Sequence, residues 1–158
     1  MNAMHWTLRT WSDLTRDELY AILVARQEVF VVEQTCPYLD ADGADQHALH
    51  LWAHDETTPV LAYARVFAPG AKGKEARIGR VITTAPGRGK GFGRALMRRG
   101  IDVVNEQFGL VPIRIGAQKY LERFYAELGF VSEGSDYLED GIPHVEMVRP
   151  PRCVLRGC

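Results

Sequence analysis

Cysteine is scarce in this chain, and the shortage is informative. Its 158 residues hold three, Cys36, Cys153 and Cys158, an odd number with no C-x-x-C pair among them. That pattern argues against a disulfide framework or a thiolate zinc knuckle, and a reducing, cytoplasmic setting is expected. An excess of one charge is missing as well. With 19 basic and 20 acidic residues the net charge is −1, so no general field exists to hold a polyanion, and nucleic acid is not an expected partner. No apolar run reaches the roughly 20 residues of a membrane span, and no basic segment followed by an apolar core stands at the N-terminus. Neither a membrane partner nor a secretory signal is expected. Internal repeats are absent. What remains is an ordinary globular composition, 46% hydrophobic and 25% charged, in a length suited to one domain. That domain is expected over residues 4–149, with a tail over 150–158.

Glycine, by contrast, is concentrated. Gly87, Gly89, Gly91 and Gly93 stand at alternate positions after a run that reads as a buried strand, with Ile78, Val81 and Ile82 as its β-branched content. Pro86 ends that strand, having no N–H for a sheet ladder. Ala95, Leu96, Met97, Val103 and Val104 then begin a helical pattern. A glycine-rich turn feeding a helix start presents free N–H groups and the positive end of a dipole, which suits a phosphate. Arg88 and Lys90 add mobile positive charge. The two familiar nucleotide loops do not fit. No glycine-lysine pair continues with Ser or Thr as a Walker loop requires, and the G-x-G-x-x-G frame fails from Gly87, Gly89 and Gly91 alike.

Around this centre the chain reads as alternating elements. A short first strand over His5–Thr10 leads to a helix announced by the capping box Thr15-x-x-Glu18 and continued by Leu19, Ile22, Leu23, Arg26, Val29 and Phe30. A loop through Pro37 follows, with Asp40, Asp42 and Asp45 supplying turn chemistry and missing the frame of a calcium loop. Next come a strand at 48–54, a second at 60–67 and the central strand at 76–83, an antiparallel meander. His50 and His54 would share a helix face, but a strand suits this segment better and no third ligand is evident, so no metal is expected. A helix over 91–108 carries Gly100, which costs about 1 kcal/mol against alanine and implies a close helix-to-sheet contact. A fifth strand at 112–117 should lie parallel to the central one through a right-handed crossover. The helix at 120–128 has Leu121, Phe124, Tyr125 and Leu128 on one stripe and Gly129 as its C-terminal cap. Two last strands, at 130–131 and 144–148, flank Asp140-Gly141-Ile142-Pro143.

Strand, Arg88-x-x-Gly91-x-Gly93, helix, strand, and a helix ending Phe124-Tyr125-x-x-x-Gly129-Phe130 is an order of elements that resembles the GNAT N-acetyltransferase family. The resemblance runs from about Thr7 to Met147. Phe30-Val31-Val32-Glu33-Gln34, Pro37-Tyr38, Asp42-Gly43 and Asp140-Gly141-Ile142-Pro143-His144 look like its ElaA branch. The resemblance implies a GNAT α/β fold, with a mixed, mostly antiparallel sheet of about seven strands flanked by helices. It also implies acetyl-CoA as co-substrate. The pyrophosphate would lie on Arg88, Gly89, Lys90, Gly91, Phe92, Gly93 and Arg94, and the pantetheine arm along Val81, Ile82 and Thr83. By the same resemblance Tyr125 is the general acid, while Glu33 and His144 are candidates for a base acting through water. The expected acceptor is a small-molecule or peptide amine, and the expected assembly a monomer or homodimer. An acyl-CoA sensor without turnover, or a transferase of longer acyl groups, would share these features. Without the resemblance Tyr125 reads as a core aromatic on the stripe with Phe124, and Arg80 as either a structural arginine or a pocket charge.

Overall fold

The computed structural model describes residues 3–152; Cys153, Cys158 and most of the expected tail lie outside the described residues. In chain order the elements are β1 (His5–Thr10), α1 (Arg16–Arg26), a π-helical segment (Gln27–Glu33), β2 (Leu49–His54), β3 (Ala62–Phe67), β4 (Ala76–Thr83), α2 (Phe92–Phe108), β5 (Ile113–Gln118), α3 (Glu122–Glu127), β6 (Val131–Glu139) and β7 (Ile142–Arg149). The strands form one seven-stranded sheet in the order β1-β2-β3-β4-β5-β7-β6. Every neighbouring pair is antiparallel except β4 and β5. This is the mixed sheet expected from the sequence. None of the described helices is long and apolar enough to cross a membrane.

Apolar clusters cover the sheet, and β3 shows why both its faces are buried. Ala62, Ala64 and Val66 join the larger cluster with Leu96, Met97 and Val104 of α2, whereas Tyr63 joins Ile22 and Ala25 of α1. Small residues on the first face let α2 settle close to the sheet. Gly100 marks the nearest approach, since a Cβ there would lie 3.1 Å from Ile78 Cδ1. The expected close contact is therefore present. The capping box also forms, with Thr15 Oγ1 accepting from the Glu18 amide at 3.1 Å and Glu18 Oε1 accepting from the Thr15 amide at 2.9 Å. Gly129 closes α3 at φ +97°, and its amide bonds to the Ala126 carbonyl.

Three details differ from the sequence reading. The first helix does not run on as an α-helix past Arg26 but widens into the π-helical segment, where the Gln34 amide bonds to the Val29 carbonyl five residues back. The strand expected from residue 60 begins at Ala62, and just before it the Leu61 amide bonds to the Ala53 carbonyl while the Leu61 carbonyl accepts from the Thr84 amide. The sixth strand is far longer than two residues, and all nine of its residues are exposed.

The feature that creates a site is the junction of β4 and β5. These parallel strands pair only at Ala76–Ile113 and Arg77–Arg114, and then separate. On its other side β4 is interrupted by a bulge, where Arg80 and Val81 oppose one residue of β3. Arg80 there takes φ +50°, in the region that favours glycine.

Candidate active site

Where β4 and β5 part, a cleft of about 870 Å³ opens across the middle of the sheet. One wall is β4 from Ile78 to Thr83; the other combines the end of β5 with Leu121, Phe124 and Tyr125. The π-helical segment and the loop after it close one end with Phe30, Glu33, Gln34, Cys36 and Tyr38. Glu139, Asp140, Ile142 and His144 of the β6–β7 hairpin face into the same space. Gln118 Nε2 donates to Gln34 Oε1 at 3.3 Å, tying β5 to the π-helical side.

The glycine loop borders this cleft through Gly87, Arg88, Gly89, Gly91, Phe92 and Gly93. Gly89 and Gly91 have φ of +75° and +76°, and a Cβ at either would find no heavy atom within 4 Å. Gly91 is the N-cap of α2 and supplies no side-chain cap, so first-turn N–H groups remain for a ligand. Gly87 is glycine for a different reason: a Cβ would stand 2.2 Å from the Leu61 carbonyl oxygen. Open glycines, uncapped amides and a separated strand edge together fit a pyrophosphate with an extended arm.

The predicted cofactor-binding residues divide. Val81, Ile82 and Thr83 line the cleft with the glycines, whereas Lys90 and Arg94 are not among its lining residues. Arg94 is engaged elsewhere, donating to Glu127 Oε2 at 2.6 Å and lying over the Phe124 ring. Arg88 reaches across the cleft mouth, where its Nη2 donates to Glu33 Oε2 and, at 3.1 Å, to the Thr83 carbonyl. The Glu33 carboxylate is thus held by the loop arginine.

Tyr125 belongs to the core and also borders the cleft. Its ring is core, edge-on to Phe124 and Phe130 at centroid distances of 5.0 and 6.0 Å. The residue lines the cleft at 6% exposure, and its hydroxyl makes no hydrogen bond among the described residues. Burial, with a smaller contribution from Tyr120, pushes the phenol up to about 12. That secures the proton at neutral pH but widens the gap to a free thiol of about 8.5. A thiolate leaving into the same dry cleft would be raised by the same desolvation, which narrows the gap again.

His144 lies in β7 opposite Gln118 and Tyr137. Its Nδ1 is 2.7 Å from the Ile142 carbonyl. A carbonyl only accepts, so Nδ1 carries the hydrogen and Nε2 of the neutral ring keeps its lone pair. That Nε2 lies 3.4 Å from Glu139 Oε2.

The acidic loop has an occupation the sequence did not disclose. Asp40, Asp42 and Asp45 bind arginines. Arg26, with 0% exposure, donates through Nε to Asp40 Oδ2 at 2.8 Å and through Nη1 to Asp45 Oδ1 at 2.7 Å. Arg65 Nη1 donates to that same Asp45 oxygen at 2.9 Å, and its Nη2 to Asp42 Oδ2 at 2.5 Å. Arg80 donates through Nε to Asp40 Oδ1 at 2.8 Å and lies beside the rings of Phe30 and Tyr38. Asp40 therefore connects buried Arg26 to the bulge residue of β4, making Arg80 both a structural and a pocket arginine. The available signal was Arg65 inside an otherwise apolar strand, since a buried guanidinium demands carboxylates. His50 is part of this core, its Nε2 donating to the Asp45 carbonyl and its Nδ1 accepting from the Tyr63 hydroxyl at 2.7 Å. His54 instead shares a hydrogen bond with Thr7.

A family profile described as the acetyltransferase (GNAT) domain matches residues 13–150. Escherichia coli ElaA is 38% identical over 151 residues, covering 92% of this chain and 96% of that protein. Its crystal structure superposes with a TM-score of 0.87. The crystal structure of an acyl-CoA N-acyltransferase from Pseudomonas aeruginosa is 40% identical with a TM-score of 0.89, covering 93% of this chain and 99% of that one. UPF0039 protein Rv2851c of Mycobacterium tuberculosis is 42% identical over 146 residues, covering 90% of this chain and 91% of that protein.

Proposed function

The chain belongs to the GNAT acetyltransferase family, and from that premise we propose that it transfers an acetyl group from acetyl-CoA to the nitrogen of an amine by direct attack. The observation that carries this reading is that Tyr125, the glycine loop and the free edge of β4 face one cleft. When bound, acetyl-CoA supplies an acetyl group activated as a thioester. The loop from Arg88 to Gly93 holds its pyrophosphate, and Val81, Ile82 and Thr83 hold its extended arm. Tyr125 Oη keeps a proton in the cleft, where the departing sulfur needs one. His144 Nε2 offers a lone pair, where the amine must lose a proton. Glu33 is the less suitable base, because Arg88 occupies its carboxylate.

The proposal is tested first by thermal melting with acetyl-CoA and with ATP. At a hundred times its dissociation constant, acetyl-CoA should add about 2.7 kcal/mol. For a chain of this length that is a rise of about 5–11 °C. Equal shifts from both ligands, or none from acetyl-CoA, would overturn the reading. Thiol release is then followed across amines, amino acids and peptides. Binding of acetyl-CoA without release by any acceptor would make the chain an acyl-CoA sensor.

A further inference from the structure

The tip of the β6–β7 hairpin carries negative charge that, among the described residues, meets only the His144 ring. Four carboxylates line the cleft: Glu33, Asp42, Glu139 and Asp140. The first two are matched, Glu33 by Arg88 and Asp42 by Arg65 and Arg80. Asp140 makes no hydrogen bond or ion pair among the described residues, and Glu139 has only the His144 ring beside it. The two arginines of the cleft wall, Arg80 and Arg88, are already paired. Asp140 and Gly141 form a turn with φ of +51° and +77°, and Glu139 and Asp140 both line the cleft there. Their field reaches the opposite side: after burial, it helps to raise the Cys36 thiol.

A second observation points to a ligand at the same place. His144 is 8% exposed, stacked on Tyr137, and aimed into the cleft. Its Nε2 has no hydrogen-bond partner among the described residues. A buried imidazole whose Nε2 makes no hydrogen bond and faces Glu139 at 3.4 Å, beside an Asp140 that is unpaired among the described residues, suits a group that brings both a proton and a positive charge.

We propose that the acceptor is a diamine or polyamine. Its distal ammonium is held between Glu139 and Asp140 while His144 Nε2 receives a proton from the attacking nitrogen. This inference rests on the acetyl-transfer reading. The nitrogen lone pair forms the N–C bond as the C–S pair passes to sulfur. Of the two protons leaving the nitrogen, one goes through His144 to water and the other replaces the proton that Tyr125 gives to sulfur. Carbon, charge and protons then balance. The second ammonium never reacts, so the carboxylates select it without entering the chemistry.

The test is a charge series on one four-carbon frame: putrescine, butylamine, aminobutanol and aminobutyrate, each with acetyl-CoA and thiol release as the readout. Putrescine should exceed the neutral-tailed amines in kcat/KM by about tenfold or more, equivalent to about 1.4 kcal/mol, with aminobutyrate the poorest. Glu139→Gln combined with Asp140→Asn should erase that preference. Asparagine tolerates positive φ, and a melting curve with calorimetric acetyl-CoA binding verifies the fold and donor site of the variant. Equal kcat/KM across the series, or a putrescine preference that survives the double substitution, overturns this inference alone. No thiol from any of the four overturns this inference alone where another amine or a peptide releases thiol, and the acetyl-transfer reading with it where none does.

Discussion

Replacing Asp45 by asparagine tests the buried ionic core at its narrowest point. One oxygen, Asp45 Oδ1, accepts from both Arg26 at 2.7 Å and Arg65 at 2.9 Å. Arg26 is fully buried and Arg65 nearly so. The amide keeps the shape but removes the charge, leaving Arg26 with Asp40 alone and Arg65 with Asp42 alone. Breaking a buried pair by neutralising one partner costs about 3–5 kcal/mol, because the surviving charge stays desolvated. At about 2–4 °C per kcal/mol for a chain of this size, the melting temperature should fall by about 6–20 °C. Urea unfolding should show the same loss. A loss below about 1 kcal/mol, the worth of a surface pair, would refute the argument. Acid supplies a second check. Burial pushes the Asp45 carboxyl up, but the hydrogen bond and charge of Arg26, with those of Arg65, outweigh it and hold the group below the usual range. Arg65 acts likewise on Asp42. A depressed folded value stabilises above the unfolded value of about 3.9 and is lost as pH falls below it. The wild-type advantage over Asp45→Asn should therefore be full at neutral pH and shrink below about pH 4. An advantage that stayed constant or grew there would contradict the linkage.

Two further substitutions probe the cleft. Tyr125→Phe should lower turnover by about 10²–10⁴ with little change in melting, since the hydroxyl makes no hydrogen bond among the described residues; wild-type turnover would remove Tyr125 from the mechanism. Gly91→Val puts a branched side chain in the loop that faces the pyrophosphate, at a position whose surroundings are open and whose φ is +76°. Calorimetry should show loss of acetyl-CoA affinity, with a melting loss of about 1–3 kcal/mol from backbone strain. Unchanged affinity would move the cradle elsewhere.

Much of the fold was legible because its signals are local. The capping box at Thr15, the cap at Gly129 and the tight passage at Gly100 each follow from a few adjacent residues. The glycine loop is read by the same logic, from glycines at alternate positions just before a helix start. What escaped depends on partners far along the chain. Asp40 looked like turn chemistry because its arginines stand 14 and 40 residues away. The widening of the first helix left the apolar spacing of Val29 and Phe30 almost undisturbed, so periodicity could not disclose it. The sixth strand hid because a fully exposed strand has no alternation to read. Arg94 was placed in the cradle by its position in the loop, and only the proximity of Glu127 reveals another engagement.

The two-rung junction of β4 and β5 has a consequence for the motion of the sheet. A strand is normally least protected at the margin of its sheet and most protected at the centre. Here β4 is central, yet beyond Arg77 it has a ladder partner on one side only. Amides of residues 79–83 that point into the gap should exchange their hydrogens with solvent far sooner than those of β3, which is enclosed on both faces. The seven strands thus have four edges rather than two: β1 and β6 outside, and the separated lengths of β4 and β5 within.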